Sequence, residues 1–193
     1  MAEPAAAPRS PARTPPRGWA LAGLGVVVLA VAALLAAYAR VHPGDGAALT
    51  TLWFSGMLQM KAWLATAALL LAVVQVLSAL AMYGRLPRVT SPPPWVAGLH
   101  RWSGTAAFLL TLPVMFHCVW SLGFSDTSAR TLVHSVAGCL LYGVFAAKML
   151  ALRVRGLPSA VVPVLGAVLV TLLVVAWFTS ALWFFGQPDV VKL

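Results

Sequence analysis

The sequence predicts an all-α integral membrane protein: a helical bundle of five transmembrane helices, with the amino terminus inside and the carboxyl terminus outside. Three observations predict it. Of 193 residues, 61% are hydrophobic and only 9% are charged, with a mean hydropathy of +0.92, which is more apolar material than one small core can bury. Five apolar runs are each long enough to cross a hydrocarbon core, which takes about 20 residues at the helical rise. The basic residues behind the net charge of +9 sit in a tail and beside the ends of those runs, the pattern that orients a chain in a bilayer.

In chain order, residues 1–17 form a Pro-, Ala- and Arg-rich tail with no apolar periodicity, expected to be disordered and cytoplasmic. Residues 18–187 form the transmembrane domain, with spans expected near 19–38, 56–83, 99–122, 129–152 and 159–185, and residues 188–193 a short external tail. The first run resembles a secretory signal in its flanks, but it exceeds the roughly 7–15 residue core of such signals, so a retained anchor is preferred. Pro92-Pro93-Pro94 stiffens the loop between spans two and three. Asp126, Thr127 and Ser128 are candidate caps for span four, and the short turn before it implies that spans three and four are antiparallel neighbours.

Arg9, Arg13, Arg17, Arg85, Arg88, Arg101, Lys148, Arg153 and Arg155 fall at one side of the predicted membrane; Arg40, Lys61, Arg130 and Lys192 fall at the other. The positive-inside rule makes the first side cytoplasmic and places the protein as a multi-pass chain in the plasma membrane. No basic patch with interleaved aromatics suggests nucleic acid. Cys118 and Cys139 lie in apolar segments without a CxxC pattern, so neither a disulfide framework nor thiol exchange is indicated. Every acidic residue is in a tail or loop, which argues against a proton-coupled transporter or a membrane hydrolase.

The chemistry-bearing residues are the histidines. His117 and His134 lie about six residues either side of the turn between spans three and four, so both are expected some 8–10 Å below the outer surface, roughly six helical rises. Neutral imidazole is a common axial ligand of haem iron. For either histidine alone, cross-linking of helices by hydrogen bonds is the preferred reading; for the depth-matched pair, it is ligation. Gly138, four residues after His134, removes bulk from the same helix face, where a porphyrin would lie, although close helix packing explains such a glycine equally well. Lys61 is expected near that depth, where snorkelling to the outer headgroups is the preferred reading over facing an anion such as a haem propionate. His100 repeats the His-x-x-x-Gly pattern at the opposite surface with Gly104. An interfacial residue beside Arg101, facing a propionate, a quinone or a lipid phosphate, is the preferred reading over half of a second haem site, which has no partner histidine and only Met149 as the nearest ligand by depth. Gln75 reads as an interhelical hydrogen bonder.

The segments Leu99-His100-Arg101-Trp102-Ser103-Gly104, Pro113 to Trp120, His134 to Cys139 and Tyr142 to Lys148 resemble an uncharacterised family of small actinobacterial membrane proteins. More distantly they resemble the cytochrome b561 and ferric-reductase-like membrane cytochromes. The second resemblance implies b-type haem held by histidines at matching depths: His117 and His134 match one ligand pair, and His100 matches half of another. The expectation is therefore a membrane haem b protein, with His117 and His134 on the iron and Gly138, Lys61 and His100 as cofactor-binding residues. It would transfer electrons with a quinone or a redox protein partner, as a component rather than a stand-alone enzyme. The alternative is a cofactor-free membrane scaffold or subunit of a larger complex; a small transporter ranks third.

Overall fold

A computed structural model describes residues 17–42, 44–87, 89 and 91–187. The expectations for residues 1–16 and for the carboxyl-terminal tail at 188–193 lie outside the described residues. Among the described residues the chain is a bundle of five long helices: α1 (Arg17–Val41), α2 (Met57–Met82), α3 (Trp95–Phe116), α4 (Ala129–Ala151) and α5 (Val161–Trp177). All five, with their terminal extensions, are long and apolar enough to span a bilayer. The chain is a multi-pass membrane protein.

Two helices do not end where their α-helical pattern stops. A π-helical turn, His117–Ser121, continues α3, and a second, Phe178–Leu182, continues α5 before a last short helix, α6 (Trp183–Phe185). In the first, the Leu122 amide donates to the His117 carbonyl five residues back at 3.1 Å, the wider spacing that defines a π turn. Pro113, inside α3, has no amide to donate and loosens the helix one turn ahead of it. Of the three candidate caps for α4, Ser128 does the work: its hydroxyl accepts from the Thr131 amide at 3.2 Å, and the Thr131 hydroxyl accepts from the Ser128 amide at 3.1 Å, a reciprocal capping box.

Small residues set which helices touch. A side chain at Gly143 of α4 would collide with the Val28 carbonyl of α1, so only glycine permits that approach. Beside it, Leu24, Ala147 and Ala151 form a core packed by Leu157, Val161 and Leu165. On the other side of the bundle Gly104 of α3 accommodates Gln75 of α2. The Gln75 amide donates to the His100 carbonyl and to Ser103 Oγ, the latter at 2.7 Å. Ala62 and Ala65 of α2 meet Ala181 and Phe184 in a second apolar cluster.

These contacts correct one expectation. The helices pack in a ring in which α3 lies against α2, α2 against α5, α5 against α4, and α4 against α1, which touches the first π turn. Helices α3 and α4 are thus not close-packed neighbours despite the short turn that joins them. The tight α1–α4 and α2–α3 pairings pull them apart, and long side chains bridge them: Phe108 stacks on Phe145 with ring centroids 4.0 Å apart, and Tyr142 Oη donates to the Thr111 carbonyl at 2.9 Å. The space between them is a cavity.

Candidate functional site

The cavity has a volume of about 270 Å³ and lies toward the end of the bundle that carries the α3–α4 turn. Residues of α1 through α5 line it, together with both π turns: Cys118 and Val119 from the first, Thr179, Ser180 and Ala181 from the second. Most of the wall is apolar, supplied by residues such as Leu35, Leu58, Met115, Leu141 and Leu173. Its polar groups are few, and none of its residues is acidic. Such a surface suits an amphiphile, with an apolar body and a small polar or anionic end.

Lys61, in the second turn of α2, lines this space and is 8% exposed. It has not snorkelled to the surface. Arg130 lines it as well; its Nη1 donates to the Thr179 carbonyl at 2.7 Å, and its guanidinium lies 4.1 Å from the centroid of the Trp183 ring. Two cations therefore face a cavity without a carboxylate. Asp45 and Asp126 are the only carboxylates among the described residues, and Asp126 pairs with Arg40 at 2.9 Å on the exposed surface.

His134 lines the cavity too. Its Nδ1 lies 3.2 Å from the Ala176 carbonyl and 3.1 Å from Thr179 Oγ1, while Nε2 lies 3.8 Å from Cys118 Sγ. A carbonyl only accepts, so Nδ1 carries the proton and Nε2 presents its lone pair to the thiol. Gly138, one turn along, has open space where a Cβ would stand, and it belongs to the cavity wall.

His117 is placed differently. It is buried, at 1% exposure, with Nδ1 donating to the Pro113 carbonyl at 2.7 Å and Nε2 accepting from the Thr50 amide at 3.4 Å. It holds the segment after α1 against the first π turn and is not part of the cavity wall. The same segment reaches Ser121, whose carbonyl accepts from the Gly46 amide at 2.9 Å. The structure thus brings His134, Gly138 and Lys61 to one cavity and leaves His117 behind the wall. His100 is remote from it, bonded through Nδ1 to Ser78 Oγ at 2.9 Å in the network that Gln75 organises between α2 and α3.

A family model described as a family of unknown function, DUF6529, matches residues 20–192. The chain belongs to the DUF6529 family. The description of that family assigns no activity. No curated protein and no solved structure matches this DUF6529 chain.

Fit of a haem to these residues is partial. His134 with a carbonyl-fixed Nδ1, the open face at Gly138, and Lys61 and Arg130 for propionates suit it. His117 does not share the space, and about 270 Å³ is below the roughly 300–1,000 Å³ of drug-sized ligand sites, so a whole porphyrin would require α3 and α4 to part. Among the described residues no three His, Cys, Asp or Glu side chains converge on a point where a metal ion could sit.

Sequence reasoning missed the π turns and the thiol–imidazole pair. Signals for the two π turns existed. Pro113 four residues before His117 marks the first departure from α-helix. The second falls at Thr179-Ser180, whose hydroxyls bond back to the Val175 and Ala176 carbonyls at 2.8 and 2.7 Å, a habit that bends helices.

Proposed function

We propose that this protein is an intramembrane binding protein for an acidic amphiphile, whose headgroup lies between Lys61 and Arg130 and whose apolar body lies along Gly138, Leu141 and Ala65. The observation that carries the reading is Lys61: a side chain 92% buried inside a membrane span, facing an apolar cavity with no acidic residue in its wall. An ammonium at that depth is costly unless an anion accompanies it. Arg130 adds a planar, bidentate partner for a carboxylate or phosphate.

A fluorescent fatty acid, cis-parinaric acid, titrated into the protein in a non-ionic detergent tests this. Binding is expected to saturate at one site per chain, to be competed by oleic acid but not by oleyl alcohol, and to weaken about tenfold or more in Lys61→Met, as loss of a charge-assisted contact of at least about 1.4 kcal/mol implies. Equal competition by the alcohol would overturn it.

The protonation of His134 favours a second reading. An imidazole whose Nδ1–H is held by a carbonyl is the arrangement that presents Nε2 to a metal, and a haem b with propionates at Lys61 and Arg130 would make the protein an electron-transfer component working with a quinone or redox partner. Haem iron would supply the redox chemistry; His134 would orient it and the two cations would bind its carboxylates. A reduced-minus-oxidised absorption spectrum of protein purified from haem-replete cells checks this. An α band lost in both His134→Ala and His117→Ala supports two-histidine ligation, loss in His134→Ala alone supports His134 as the protein's one imidazole ligand, and a colourless protein removes the reading.

A further inference from the structure

We infer that Cys118 is an acyl acceptor: a thiol nucleophile in the cavity, with His134 as its base, that takes a fatty acyl group from an oxygen ester. The inference rests on the reading of the cavity as an amphiphile site. Its geometry is that of an activated nucleophile, in which the attacking atom, the base and a group orienting the base stand in series. Cys118 Sγ is 3.8 Å from His134 Nε2, and His134 Nδ1 is held by the Ala176 carbonyl and Thr179 Oγ1 at 3.2 and 3.1 Å. That series aims the basic nitrogen at the thiol.

Two further features are needed for acyl transfer, and the same cavity supplies them. The apolar wall receives the acyl chain. Lys61 lines the same cavity wall as Cys118, where its ammonium can stabilise the oxyanion formed when a carbonyl is attacked beside it. Cys139 lines the same cavity without an imidazole bonded to it among the described residues, so the arrangement distinguishes the two thiols.

The step balances without a redox partner. The Cys118 thiol proton passes to His134 Nε2 as sulfur bonds to the ester carbonyl carbon. The ester C–O bond then breaks, and the departing alkoxide takes the proton back from His134. The products are a Cys118 thioester and a free alcohol.

The purified full chain, incubated with p-nitrophenyl decanoate in non-ionic detergent, tests the inference by nitrophenol release and intact mass. One decanoyl group per chain is expected, removable by neutral hydroxylamine and mapping to the peptide that contains Cys118. Cys118→Ser is expected to lose the label. His134→Gln is expected to slow labelling at neutral pH by about 10²-fold or more, the scale of general-base catalysis, with the deficit shrinking as pH rises and the thiol ionises unaided; a merely structural histidine would not give that pH dependence. Label on Cys139, or no label in protein that still binds cis-parinaric acid, overturns the inference and leaves the binding reading standing. Protein that neither binds the fatty acid nor takes the label overturns both.

Discussion

Lys61 defines the chemistry of the cavity because its charge is buried at a wall that carries no carboxylate. A lysine this near a helix end normally extends its stem to the headgroups, yet this one is buried at the cavity wall. Replacing it with methionine, which keeps the stem and removes the charge, is expected to raise the melting temperature of the ligand-free protein while weakening the binding of acidic amphiphiles. Thermal unfolding with and without oleic acid reads both. His117 does a different job from His134, although the two occupy comparable positions either side of one turn. Because its ring ties the Thr50 amide to the Pro113 carbonyl, His117→Ala should free the segment after α1. Hydrogen exchange at residues 44–55 is expected to rise by about tenfold, for loss of roughly 1.4 kcal/mol of buried hydrogen bonding, with fatty-acid binding retained. Spacing along the chain put the two histidines either side of one turn, but their azimuth was not legible: the π turn at residues 117–121 shifts the register of the side chains that follow it, and no helical wheel anticipates that.

Among the elements, two tight pairs shape the cavity by holding α3 away from α4. The α1–α4 pair depends on Gly143 meeting the Val28 carbonyl. Gly143→Val has no room for its side chain and is expected to destabilise the protein by about 1–3 kcal/mol, the usual cost of overpacking, with a lower midpoint in detergent-resistance unfolding. The α2–α3 pair depends on Gln75, which bonds to the His100 carbonyl and Ser103. Gln75→Leu is expected to cost about 1 kcal/mol, typical of a hydrogen bond between membrane helices, without changing fatty-acid affinity, because Gln75 lies outside the cavity. The sequence marked Gln75 as an interhelical bonder from its polarity inside an apolar run. It marked α3 and α4 as neighbours from the length of their connection alone. A short turn fixes only where two helices begin to diverge; the glycines at 104 and 143 determine which partners each one keeps, and a sequence does not say which glycine meets which backbone.

For the whole molecule, composition was enough to settle the class: five apolar runs gave five long helices, since a span must satisfy its own backbone in lipid. The ring order was not legible, and the central cavity follows from it. Orientation rests on the excess of Lys and Arg at the amino-terminal and proline-loop end. In a Cys118→Ser, Cys139→Ser background, a membrane-impermeant maleimide applied to intact cells is expected to label Asp45→Cys and not Arg155→Cys; the reverse pattern would contradict the orientation that the basic residues predict.

The central claim, that the cavity between α3 and α4 holds an acidic amphiphile, is tested most directly by photo-cross-linking. A diazirine-bearing fatty acid is irradiated with the protein, and the attachment sites are mapped by peptide mass spectrometry. Attachment should concentrate on cavity-wall residues such as Ala65, Cys139 and Leu141, and should fall sharply in Lys61→Met. Attachment spread over exposed residues outside the wall, such as Leu70, Leu109 and Val164, with no change in Lys61→Met, would contradict the claim.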